Sequence, residues 1–202
     1  MNATLEKLFS KFYSFGVKPS PEEYLRSRPK ELINVLTQFN IKSLFDAGCR
    51  DRDWISQIDF KLLNVDYIGG DISKDMVTYC NEHYPEYTIT HYDCTTDSIP
   101  TVDCVLISDV LIHLSNADKI KFLKKFVSSN SKMLLMTTDP RCKHNKDISL
   151  TGSFKDFPWA PVNWKLDPWQ FPDPIYTMPP INLISDLSLW TRDQLKNKVD
   201  KL

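Results

Sequence analysis

Three acidic residues end short apolar runs in the first half of the chain: Asp46 in LFDAG, Asp71 in GGDIS and Asp93 in HYDCT. If each run is a strand of one parallel sheet, the three carboxylates collect beyond its carboxyl edge, where such sheets bind ligands. The chemistry this suggests is recognition of a nucleoside. An acid ending the second strand can accept from both ribose hydroxyls, and Asp71 follows Asp46 by about 25 residues, near the separation expected for that role. An acid after the third strand can accept from an adenine amino group. The turn after the first strand needs a residue without a side chain so that backbone can approach a ligand, and Gly48 supplies it. A second pair, Asp109 and His113 in SDVLIHL, is four apart and would share a face of a helical turn. His113 has an intrinsic pKa suited to a general base, and Asp109 could orient it or act itself. The plain alternatives stay open: the acids cap helices, and His113 only bonds within its loop.

The order of elements supports such a sheet. From Ile41 onward short apolar strands alternate with helices: KSLFDAG (42–48), VDYIGGD (65–71), YTITHYD (87–93), VDCVLISD (102–109) and KMLLMTT (132–138) read as strands. WISQI reads as the start of a helix, Met76, Val77 and Cys80 lie on a second, and Asp118 to Phe126 form a third. The expectation is an α/β fold with a doubly wound, mostly parallel sheet. Residues 1–40 read as an N-terminal helical arm or lid: Leu5, Leu8, Phe9, Phe12 and Phe15 recur at helical spacing, Ser20 and Pro21 suit a helix start, Pro29 starts another piece, and Asn40 ends it. Residues 41–202 form the main domain. Within it, 139–182 are a proline- and tryptophan-rich loop on the substrate side. NLISDLSLW can add an antiparallel edge strand before a polar tail.

These residues resemble the class I S-adenosylmethionine-dependent methyltransferases. DAGCRDRDW is similar to the DAPCGDFNW-type first motif of a bacterial subgroup, YIGGDIS to its second motif and LISDVLIHLS to its fourth. TTDPRCKHNKDISLTG resembles the segment after its fifth strand, and DLSLW its last strand, so the similarity runs from 41–138 over most of the chain. The resemblance implies S-adenosyl-L-methionine as cofactor, S-adenosyl-L-homocysteine as product, and Asp46, Gly48, Arg50, Trp54, Asp71, Ile72, Asp93, Cys94 and Ser108 as cofactor-binding. It implies His144, Asn145 and Asp147 as acceptor-binding; otherwise they are turn formers. The departure is Arg50, where the subgroup has its second glycine. Its side chain can crowd the cofactor, demand a φ that Arg dislikes, point outward, or grip an anion.

The expected activity is O-methylation of a saccharide or other small polar metabolite; the competing reading is a catalytically degenerate member of the fold that serves as a binding partner or scaffold. Trp159, Trp164 and Trp169 with Phe157 and Phe171 could stack on a sugar or plug the core edge. Tyr24, Arg26 and Arg28 could close over the site or form an exposed charged face. The lysines at 119, 121, 124 and 125 read as a solvated helix face. The loop lacks GxGxxG, which argues against a pyrophosphate-bearing cofactor. A net charge of −1 provides no field for nucleic acid, and no Asn-Pro-Pro-Tyr-like motif follows the fourth strand. Five cysteines without a CxxC pair argue against a disulfide framework or a zinc site, and fit a reducing, cytoplasmic setting. Nothing reads as a membrane span or a secretory signal. Whether residues 1–40 serve as a lid, a homodimer surface or packing is left open by the sequence.

Overall fold

The structure is a computed structural model that describes residues 5–7, 9–10, 22–148, 159–179 and 186–202. Its centre is a seven-stranded sheet of β1 (Ser43–Ala47), β2 (Asp66–Asp71), β3 (Thr88–His91), β4 (Cys104–Ile107), β5 (Met133–Thr138), β6 (Tyr176–Thr177) and β7 (Asp186–Thr191), in the order β3-β2-β1-β4-β5-β7-β6. The first five run parallel; β7 is antiparallel to β5, and β6 to β7. The doubly wound expectation holds. Strand order reverses between β1 and β4, so a crevice opens beyond their carboxyl ends.

Side-chain alternation along the strands divides the core into two layers. Phe45, Val105, Ile107, Leu134 and Met136 point to one, beside α3 (Asn116–Ser128) and α4 (Arg192–Val199). Leu44, Leu106 and Leu135 point to the other, against Leu32, Val35 and Leu36 of α1 (Glu22–Gln38) and Cys80 of α2 (Lys74–His83). Ser73 caps α2 and Ser115 caps α3 through their side-chain oxygens. Among the described residues, no helix is long and apolar enough to cross a membrane.

Several elements differ from the sequence expectation. Pro29 does not start a helix; it lies inside α1. One lost helical bond is offset by burying the apolar stripe that follows it. Ser20 and Pro21 lie outside the described residues. WISQI gives only a 3₁₀ turn at Ile55–Gln57. The buried positions Ile55, Ile58 and Phe60 are three and two apart, a spacing that no α-helical face accommodates. DLSLW is not the edge strand but sits between β5 and β6. The polar tail is α4, started by a capping box of Thr191 and Gln194 and buried through Leu195 and Val199. Lys119 does not lie on a solvated face: it is 0 % exposed, and its ammonium donates to the Leu114 carbonyl (2.7 Å) and to Asn116 Oδ1 (3.3 Å).

Candidate functional site

The turn after β1 has an unusual backbone. Gly48, Arg50 and Arg52 all have positive φ, at 100°, 50° and 60°. Glycine is required at the first of these, because a Cβ on Gly48 would come within 2.3 Å of Val110 Cγ2. At the other two positions an ordinary residue takes the left-handed form at a cost of about 1 kcal/mol or more each. Local bonds offset that cost. Gly48 and Cys49 N–H both donate to the Gly70 carbonyl (2.7 and 3.1 Å), which ties the turn to the end of β2. Arg50 N–H donates to Asp71 Oδ2 (2.9 Å), and the Cys80 thiol donates to the Arg50 carbonyl (3.0 Å). The Arg50 guanidinium runs along its own loop toward Asp51 (3.3 Å) and Asp53 (3.9 Å) and is not among the residues that line the crevice.

The three acids separate. Asp71, 2 % exposed, lines the crevice and accepts from Ser73 N–H on Oδ1 and from Arg50 N–H on Oδ2. Burial pushes its pKa up to about 6, against the pull of those two backbone donors. Asp93, also on the crevice wall, accepts on Oδ1 from the Thr95 N–H (2.8 Å) and hydroxyl (2.7 Å). Asp46 does not reach the crevice. It points beneath the turn, where Tyr67 donates its hydroxyl at 2.8 Å, and burial pushes its carboxyl up to about 7. Ile72, Cys94 and Gly48 line the crevice as well; Tyr92, Val110 and Leu114 form its walls, and Leu5 and Phe9 face into it from the N-terminal helical residues. The space is about 390 Å³, including its open side.

Asp109 and His113 do not share a helical face. Asp109 is left-handed (φ 56°) and precedes a 3₁₀ turn at Leu111–His113, which breaks the i, i+4 geometry. The Asp109 carboxylate meets the Thr137 hydroxyl (3.2 Å) and the Ser108 hydroxyl (3.4 Å), while its N–H donates to Thr137 Oγ1 (2.7 Å). The His113 ring packs edge-on against Phe9, centroids 6.1 Å apart.

The segment after β5 is built largely as structure. Asn145 donates to the carbonyls of Asn163 (2.9 Å) and Asp167 (2.8 Å) and accepts from Asn163 N–H (2.8 Å); Asp147 accepts from Asn116 N–H (2.7 Å), and the side chain of His144 is exposed. The first two serve different segments, so the three do not converge. Trp164 stacks on Phe171 and donates Nε1 to the Thr137 carbonyl (2.8 Å), with Trp169 beside it; these three plug the core edge. Trp159 is 61 % exposed, and Phe157 lies outside the described residues. Trp54 packs on the α1 side of the sheet, away from the crevice. Arg26 pairs with Glu22 at the surface; Arg28 is buried instead of exposed, and the Tyr24 side chain lies outside the description. Among the described residues, no group of three His, Cys, Asp or Glu side chains is placed to hold a metal ion.

Sequence reasoning missed four participants. Phe9 and Tyr92 reach the crevice through tertiary packing, and Thr137 meets Asp109 only because β4 and β5 are in register. The fourth is Arg52. It is 1 % exposed, with its guanidinium carbon 4.6, 4.6 and 4.3 Å from the ring centroids of Tyr67, Tyr84 and Tyr87. The only signal in the sequence was an arginine one residue before DW.

No family model matches the chain, and no curated protein does. Solved structures resemble it across most of its length. A Pyrococcus horikoshii protein is 18% identical over 90% of this chain and 98% of its own, with a TM-score of 0.62. Magnesium protoporphyrin IX methyltransferase from Synechocystis, crystallised with S-adenosylhomocysteine, is 15% identical over 95% of both chains, with a TM-score of 0.61. The S-adenosylmethionine-dependent methyltransferase SibL, in its apo form, is 16% identical over 81% of this chain and 54% of its own, with a TM-score of 0.59. At these identities the likeness is one of fold: the chain has the Rossmann-like fold of class I methyltransferases.

Proposed function

We propose that this protein is an S-adenosylmethionine-dependent methyltransferase acting on a small polar acceptor, a saccharide or similar metabolite. The observation that carries the reading is the left-handed turn at 48–52 joined to Asp71 at the switch point of the sheet. Its likeness to structures of methyltransferases, one of them holding S-adenosylhomocysteine, gives independent support.

The residues fit the cofactor. Each Asp71 oxygen accepts one backbone N–H, which leaves a lone pair on each for the two ribose hydroxyls. A buried carboxyl with a raised pKa gains most from such donors. Asp93, on the crevice wall, would meet the adenine amino group, with Cys94 and Ile72 beside the base and the Gly48 turn and Ser108 toward the methionine part. Trp54 and Asp46 support the turn from outside the crevice. When bound, S-adenosylmethionine supplies a methyl group on a good leaving group, so the protein's work is alignment and exclusion of water. Leu5, Phe9 and Val110 serve the exclusion, consistent with a lid role for residues 1–40. Asp109 is our candidate to take the acceptor's proton, held by Thr137 and Ser108; His113 is the second. His144, Asn145 and Asp147 belong to the acceptor side, with Asn145 shaping the loop. The protein is expected to act in the cytoplasm, with no nucleic-acid partner.

Calorimetric titration with S-adenosylmethionine and S-adenosylhomocysteine tests this. Micromolar binding that is lost in Asp71→Ala supports it; absence of binding by the wild-type chain overturns it. That second result is what a non-catalytic member of the fold would give, a reading that the two arginines at strained positions favour.

A further inference from the structure

Arg52 sits where a hydrocarbon would cost less. None of its Nε, Nη1 and Nη2 atoms has a hydrogen-bond partner, and all are buried, so the guanidinium is desolvated without a hydrogen bond in return, with Asp46 the nearby acid. What it meets is the three tyrosine rings. They come from three separate places: Tyr67 from β2, Tyr84 from the C-cap of α2, and Tyr87 from the turn before β3. A cation attracts all three faces at once, and a planar guanidinium also stacks on them. The backbone of the same residue is left-handed and closes the turn: Arg52 N–H donates to the Cys49 carbonyl (3.0 Å), and the Arg52 carbonyl accepts from Ser56 N–H (2.7 Å). Tyr67, the β2 member of the box, is also the residue whose hydroxyl holds Asp46.

We propose that Arg52 is the positioning residue of the cofactor loop: seated on three tyrosine faces, it holds the 48–52 turn, with Gly48, Arg50 and Arg52 at positive φ, in the form that keeps Arg50 N–H on Asp71. The inference rests on the methyltransferase reading for its consequence, but not for its geometry. Without the clamp, Arg50 and Arg52 relax toward negative φ, and only a fraction of molecules keeps the competent loop; apparent affinity falls by that fraction.

The test compares Arg52→Met, which keeps the bulk without charge, with Arg52→Lys, which keeps a cation that the rings still attract. Two readouts are taken: S-adenosylhomocysteine affinity by calorimetry, and hydrogen exchange of the Arg50 amide relative to amides of β5. We expect Arg52→Met to bind about tenfold more weakly and to exchange the Arg50 amide about tenfold faster, with β5 unchanged, and Arg52→Lys to stay within about threefold of wild type on both. If Met equals or outperforms Lys, the site is packing alone and the proposal fails. If Arg52→Met does not fold, Tyr87→Leu removes the nearest ring and decides by the same readouts: faster exchange supports the proposal, unchanged exchange overturns it. If the wild-type chain binds no cofactor, the methyltransferase reading falls, while exchange of the Arg50 amide still decides the role of Arg52.

Discussion

Replacing Asp46 with Asn should remove a pH dependence that the wild-type chain carries. Asp46 is buried beneath the turn, and burial raises its carboxyl from 3.8 to about 7. The folded protein therefore holds a proton that the unfolded chain has released between those values, so stability is full below pH 4 and is lost as pH rises through 7. At about 1.36 kcal/mol per pH unit the total loss is about 4 kcal/mol. Asp71, raised to about 6, has the same sign and contributes about 3 kcal/mol, mostly below pH 6. Between pH 6 and 7.5 Asp46 dominates, and the wild type should lose about 1 kcal/mol there on its account. Asn keeps an acceptor for the Tyr67 hydroxyl but cannot ionise. Its absolute stability shifts because Arg52 loses a nearby carboxylate, so the slope is the readout. Urea unfolding followed by tryptophan fluorescence, at half-unit steps from pH 5 to 8, measures it. Parallel wild-type and Asp46→Asn curves between pH 6 and 7.5 would refute the reasoning.

Gly48→Ala forces a Cβ into Val110 at a φ of 100°; we expect a loss of about 3 kcal/mol in urea unfolding and of S-adenosylhomocysteine binding in calorimetry. Arg50→Gly relieves a left-handed arginine whose guanidinium pairs with the partly exposed Asp51 and Asp53 of its own loop, so it should stabilise by about 0.5–1 kcal/mol, read as a higher melting temperature. Lys119→Met leaves the Leu114 carbonyl without its buried donor and should cost about 2 kcal/mol by urea unfolding. Ligand hydroxyls bonding to Asp71 favour its charged form, so S-adenosylhomocysteine affinity should rise severalfold from pH 5 to 7, with proton release seen as a buffer-dependent binding enthalpy.

The strands β1 to β5, the helices α2 and α3, and the doubly wound order were legible in the sequence because periodicity and apolar runs are local and the parallel sheet buries both faces of β4; β6, two residues within the proline-rich loop, was not. The placement of Gly48, Asp71 and Asp93 at strand ends was legible for the same reason. What the sequence could not settle was how far each acid lies from the edge of the sheet. Asp46 looks equivalent to Asp71 in the chain, yet it pairs with Gly69 and so lies two residues deeper on the same layer, where the Tyr67 hydroxyl holds it. Asp109 and His113 are four apart, yet a left-handed residue separates them. Lys119 reads as surface, yet a carbonyl five residues back draws it inside. Nothing in the sequence hinted at the surroundings of Arg52: they are three tyrosines from three elements, brought together only when β2, α2 and β3 pack. Local chemistry set which residues end the strands; long-range packing decided which of them face the crevice and which hold the turn from below.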